Sequence, residues 1–331
     1  MNRETSNKIT RLSFCLSILV MMIHVTNFRV YGIYRGPLYV AESLIESTAN
    51  FAVPMFFAIS GYMFFRNYRP TLAAEKIKKR IRTVFIPWMV WGLIYCLFFF
   101  IISHLPLLNN FVNHKTSIIS SFLNLFTIKS STHLWYLRNL MIYIITAPAI
   151  YYVIKNRWGY LSYIILMCGC YWLLNDQSFS ISMYSLFFFL GGWTAIHLQA
   201  ETEKAYSIEL WKAAVLGLAL LTVGIWRINR APYTFFAYLL GIPLIWITAD
   251  CLRSSEQTPE FMRTSFFIYV SHVLILETVE KLFWVLLPRN QMGAMADYLL
   301  APVITLGLIY MSEKILKKNS KMWGLLTGKR G

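Results

Sequence analysis

Charge is what this sequence has least of. Of its 331 residues only 14% are Asp, Glu, Lys or Arg, against about a quarter in ordinary water-soluble domains. Acids are scarcer still, 15 against 31 Lys and Arg. So few charges cannot clothe a soluble surface. Cysteine is also sparse. Cys15, Cys96, Cys168, Cys170 and Cys251 lie in or beside apolar stretches and form no C-x-x-C pair. That excludes a disulfide framework and a cysteine zinc site, and no metal centre is expected. Period-two alternation is missing too: MYSLFFFLGGW and CLFFFII are continuous apolar runs, not the alternating segments of a β-barrel. There is no internal repeat and no low-complexity tail.

What remains is oily and aromatic, 57% and 17% of the chain. Runs of the roughly 17–25 residues that cross a bilayer recur at Leu12–Val30, Ser43–Phe65, Val84–Ile102, Leu134–Ile154, Tyr160–Leu174, Ser182–Leu198, Trp211–Ile225, Tyr233–Leu252, Phe266–Leu287 and Tyr298–Leu316. The fold expected is all-α, a polytopic membrane bundle of about ten helices. It forms one transmembrane domain over residues 1–318, followed by a short basic tail at 319–331. The first span resembles a signal-peptide core but has no A-x-A-like cleavage site, so it reads as a retained helix. The net charge of +16 invites a nucleic-acid partner, but position speaks against one. Lys8, Arg11, Arg66, the run Lys76 to Arg82, and Lys314 to Lys321 all fall on one side of the ten-span layout. That is the positive-inside pattern, with both termini cytoplasmic. Trp88, Trp91, Trp158 and Trp193 read as an interfacial belt.

The first span carries a polar seam. A helix turns roughly 100° per residue, so Thr10, Ser13, Ser17, His24 and Asn27 share one face of an apolar rod. Lipid cannot satisfy such a seam, so it faces other helices or a water-filled cavity. The hydroxyls suit interhelical glue; an intramembrane histidine is a functional candidate. At about 1.5 Å per residue, His24 lies roughly 18 Å from the inner end of its span. Glu46, with Glu42 one turn above it, would lie at similar depth on the returning helix and could orient the imidazole. Equally, the two acids could pair with Arg29 or Arg35 at the outer surface.

Five segments in order, RLSFCLSILVMMIH, VPMFFAISGYMFF, KKRIRTVFIPWMVW, HLWYLRNLMIY and SFFIYVSHVLIL, resemble the integral-membrane acyltransferase-3 family across nearly the whole chain. The resemblance implies an O-acyltransferase that moves an acyl group, acetyl above all, from acyl-CoA to sugars of surface polysaccharides or glycolipids. It implies no permanently bound cofactor, acyl-CoA as co-substrate, and a bacterial inner-membrane location. His24 matches the family's catalytic first-helix histidine, and Arg80 and Arg82 match its basic pair before the third helix. His133 and Trp135 fall in its H-x-W-like segment, His272 in its Y-x-x-H pattern with Tyr269, and Pro54, Ser60 and Gly61 in its second helix. One position departs. The family usually carries an arginine eleven residues before the histidine, where this chain has Ser13. Arg11 lies about 160° away around the helix and would have to reach inward along its stem. Otherwise the donor-binding role has moved, or the activity has changed.

Chemically, His24 suits a general base near neutral pH, and a covalent acyl carrier is the variant of that role. Arg80, Arg82 and Arg11 would meet the phosphates of CoA with guanidinium forks, although positive-inside topology alone also produces such a cluster. His133, Trp135, Arg138 and His272 are candidates for substrate contact. Arg138 should pair with an acid, carbonyl or ligand, or snorkel to the interface. Glu277 and Lys281, spaced i, i+4 with the acid first, read as a mutually neutralised pair. A different class keeps the same seam without chemistry: a permease or flippase-like carrier of a small polar or lipid-linked solute.

Overall fold

The computed structural model describes residues 1–25, 28–104, 117–126, 133–174, 179–205, 234–329 and a few positions from 209 to 219. The predicted seventh span, Trp211–Ile225, and Asn27 of the polar seam lie largely or wholly outside the described residues. Every regular element among the described residues is helical. Among the described residues five helical stretches are long and apolar enough to cross a membrane: Arg3–Ile23, Pro37–Phe65, Pro70–His104, Trp135–Ile154 and Gln291–Leu316.

Helix α1 (Arg3–Ile23) starts on Asn2, whose side chain accepts the Thr5 N–H, a standard N-cap. It stops seven residues before the predicted end, so His24 is its C-cap, with its N–H on the Met21 carbonyl. The second predicted span is two helices, α2 (Pro37–Ala49) and α3 (Ala52–Phe65). They part at Asn50, whose backbone N–H and side-chain amide both return to the Glu46 carbonyl.

The third span is longer than the apolar run. Helix α4 (Ala73–Arg80) leads through a π-helical turn, Ile81–Phe85, into α5 (Ile86–His104). In that turn the Ile86 N–H reaches back five residues to the Ile81 carbonyl. Such insertions re-aim the residues around them and favour functional sites. Pro87, lacking an N–H, is the second residue of α5.

The other α-helices among the described residues are α6 (Ile118–Asn124), α7 (Trp135–Ile154), α8 (Gly159–Leu174), α9 (Phe179–His197), α10 (Gln199–Glu203), α11 (Thr234–Thr248), α12 (Ser265–Leu286), α13 (Gln291–Leu316) and α14 (Ser320–Thr327). Helices α3 and α9 approach closest. A Cβ on Gly61 would overlap the Phe188 carbonyl, and one on Gly191 the Ala58 carbonyl. Small residues let the backbones touch where lipid supplies no hydrophobic drive.

One end of the bundle gathers the basic residues. Lys8 is fully buried there, 2.7 Å from Asp250, which also holds Arg253 at 2.9 Å. Glu203 takes Arg66 Nε at 2.6 Å and the Tyr62 hydroxyl at 2.8 Å. These contacts tie α1, α3, α10 and the turn after α11 together. Two tryptophans leave the predicted interfacial belt: Trp88 and Trp91 are buried, and Trp91 Nε1 donates to the Leu326 carbonyl. Their position on α5 faces the packed α14 and α6, not lipid.

Candidate functional site

Three histidines from distant parts of the sequence meet near the end of α1. The His24 ring lies 5.2 Å from that of His272 on α12 and 6.3 Å from that of His133, which precedes α7. His133 and His272 are 5.3 Å apart, centroid to centroid. His272 and His133 are buried, whereas His24 is exposed. Its place at the C-cap of α1 puts the ring at the end of the helix rather than within it. Among the described residues no group of three or more His, Cys, Asp or Glu is placed to hold a metal ion.

The hydrogen bonds assign the His272 tautomer. Its Nδ1 lies 3.0 Å from the Ile268 carbonyl and 2.8 Å from that of Tyr269. Carbonyls only accept, so Nδ1 carries the proton and Nε2 keeps its lone pair. That Nε2 is buried without a partner, as is Nε2 of His133. Unmet buried acceptors are rare enough to need a reason. A hydroxyl or an imidazole N–H brought between the rings would satisfy them. Tyrosines brace the pair: Tyr269 OH donates to the His133 carbonyl at 2.6 Å, and the Tyr95 ring packs 4.6 Å from His133. Tyr95 also joins two backbone groups of α12, donating to the Val270 carbonyl and accepting the Leu274 N–H.

The expected orienting acid is not there. Glu46 is exposed and forms no hydrogen bond or ion pair with His24. The buried carboxylate is its neighbour Glu42, which accepts the Phe28 N–H at 3.2 and 3.3 Å and so fixes the chain leaving α1. The break at Asn50 explains the error. Because α2 is a separate piece, the depth of Glu46 does not follow from one continuous helix.

A cavity of about 200 Å³ opens on the basic side of the histidines. Ser13 of α1, Ser60 of α3, Arg80 of α4, Tyr136 of α7, and Ser265 and Tyr269 of α12 line it. Ser60 Oγ and Tyr136 OH are hydrogen-bonded at 3.1 Å. Two of these tyrosines stand three residues from a cluster histidine: Tyr136 follows His133, and Tyr269 precedes His272. The chain runs opposite ways in α7 and α12, so the cavity and the imidazoles lie about one helical turn, roughly 5 Å, apart.

The three arginines expected to act together separate. Arg80 and Arg82, two residues apart, point to different sides of the π turn. Arg80 lines the small cavity, and Arg82 an outer groove of about 1320 Å³. Arg11 is tied to the Leu252 carbonyl at 3.2 Å. Ser17 behaves as glue, donating to the carbonyls of Ser13 and Ser265.

Trp135 and Arg138 stand apart from this cavity. Trp135 packs on Tyr184 and Phe57, 5.1 and 6.3 Å between centroids. Arg138 is buried and does not snorkel; its Nε and Nη2 both lie 3.1 Å from Asn139 Oδ1. The sequence reading missed Tyr95, Tyr136 and Asp250. The signal for Tyr136 was its spacing from His133, the mirror image of the Y-x-x-H pattern. Tyr95 and Asp250 carry no local signal.

A family model described as an acyltransferase domain matches residues 12–313, all but the two ends. No curated protein and no solved structure matches the chain. The matched segment contains α1 from Leu12, the three histidines, the Arg80 cavity and the π turn. The chain belongs to the acyltransferase-3 family of membrane proteins.

Proposed function

We propose that this protein moves an acyl group, first of all acetyl, from acyl-CoA to a carbohydrate hydroxyl of a surface polysaccharide or glycolipid. The basic end would face the cytoplasm of a bacterial inner membrane. One observation carries the reading: a cavity headed by Arg80 ends one turn from a cluster of three imidazoles, of which His24 alone is open. A thioester threaded past Arg80 would lie beside Ser60 and Tyr136, whose hydroxyls can hydrogen-bond along its arm. An alcohol approaching from the opposite end would meet His24.

The steps follow from the groups present. His24 takes the proton of the acceptor hydroxyl, whose oxygen attacks the thioester carbonyl. The tetrahedral intermediate collapses, breaking the C–S bond, and the imidazolium returns the proton to the departing thiolate. In place of Glu46, His272 is the positioning residue. Its bare Nε2 can accept the N–H of His24 and leave the other His24 nitrogen free as base. The cation absent at Ser13 is supplied from α4, since Arg80 lines the same cavity.

Membranes given labelled acetyl-CoA test this reading, with wild type beside His24→Ala and His272→Gln. Incorporation into a saccharide should vanish in the first and fall, with a displaced pH profile, in the second. Solute flux with no need for an acyl donor would overturn the reading in favour of a carrier.

A further inference from the structure

The outer groove on the Arg82 side is walled by two pieces of chain far apart in sequence. One wall is α4 with the π turn; the other is α14 and the residues after it. Six cations and two acids line it. Lys317 is already neutralised, 2.8 Å from both Glu260 and Glu313. Lys78, Lys79, Arg82, Lys321 and Lys329 form no ion pair with any described acid. Five unpaired cations around one concavity repel one another unless an anion sits among them.

The second wall is built, not merely adjacent. Asn319 caps α14 by accepting the Met322 N–H, and Gly328 ends it at φ +66°. A Cβ on Gly328 would overlap the Thr83 backbone, so the glycine lies directly against the π turn. Trp91 Nε1 holds the Leu326 carbonyl at 3.0 Å, and the Trp323 ring packs 5.1 Å from Phe267. The lysines of this segment are thereby set opposite Arg82.

We propose that the α14 segment, through Lys321 and Lys329, clamps the phosphorylated nucleotide end of the acyl donor against Lys78, Lys79 and Arg82. This rests on the acyl-CoA reading above. The ligand chemistry is a polyphosphate on a small body, here a 3′-phosphorylated adenosine diphosphate. Concavity favours it over a flat anionic lipid surface: the groove exceeds the roughly 300–1,000 Å³ typical of small-molecule sites. Its position favours it too. Arg82 and Arg80 flank one turn, so a donor held by the first can pass its acyl arm toward the second. Lysine heads act on phosphate as point charges and the arginine as a fork.

The test uses the full chain in nanodiscs of zwitterionic lipid, with adenosine 3′,5′-bisphosphate as the probe. Calorimetry should show saturable binding that Lys321→Ala/Lys329→Ala weakens about tenfold or more, as expected for lost charge-assisted contacts. Lys314→Ala, a basic change outside the groove, should leave it intact. Where transfer is measured, the double variant should raise KM for acetyl-CoA and spare kcat. Equal losses in the control, equal competition by inorganic phosphate, or binding only to phosphatidylglycerol vesicles would each overturn the clamp. Bisphosphate binding without any acyl transfer would keep the clamp and sink the proposed reaction. Transfer with unchanged KM in the double variant would do the reverse.

Discussion

The basic groove and the histidine cluster handle polarity in opposite ways. At the basic end, five cations stand in an open groove without an ion pair to any described acid, while others nearby are paired, Lys8 fully buried and Arg66 and Arg253 half-buried. Among the described residues no charged side chain is paired with the histidines. Neutral rings, tyrosine hydroxyls and backbone carbonyls meet one another, and two imidazole nitrogens are left bare. Burial accounts for the difference. An ion deep in the protein costs several kcal/mol unless it is paired, whereas a neutral imidazole costs one unmet hydrogen bond, about 1–3 kcal/mol. On the proposed reaction, the bundle concentrates charge where donor phosphates would arrive and keeps neutral imidazoles where bonds would change.

The sharpest way to break that contrast is to remove the base. His24→Ala should cut acyl transfer by about 10²–10⁴-fold while the bundle stays folded, since the ring is exposed. A smaller loss expected from Arg80→Ala should be partly restored by adding Ser13→Arg, which returns a cation to the same cavity from α1. No restoration would mean that Arg80 acts elsewhere.

Legibility followed the same contrast. The helical class and the membrane setting were readable because apolar length is a local signal, and His24 stood out as one ionisable residue in an oily run. Their pairing was not readable. Asn50 splits a span that reads as continuous, which misplaced Glu46. The π turn sends Arg80 and Arg82 apart, although the sequence presents them as a pair. Tyr95 and Asp250 act through partners 175 and 242 positions away, and no periodicity announces that.

Stability separates the packed interior from the charged rim. Gly61→Ala pushes a methyl group into the Phe188 backbone and should cost about 1–3 kcal/mol, read as a lower melting temperature in detergent. The Glu203 hub should respond to acid alone. Burial works to raise its carboxyl, but hydrogen bonds from Arg66 and Tyr62 and the Arg66 charge outweigh it and hold the group below 4.5. Its contribution is present above that value and is lost as pH falls through the lowered one. Below about pH 4.5 the wild-type melting temperature should drop relative to that of Glu203→Gln, with a constant offset at higher pH. The smallest effect is a null one. Glu46→Gln should leave transfer and its pH profile unchanged, whereas Glu42→Gln should loosen the chain after α1 by weakening its hold on the Phe28 N–H.

Sealed proteoliposomes with the basic end outward put the central claim to its most direct test. Labelled acetyl-CoA is added outside only, and a pool of saccharides is enclosed within. The account predicts label on the enclosed sugar, abolished by His24→Ala. Label appearing only when donor and saccharide share one compartment would contradict it.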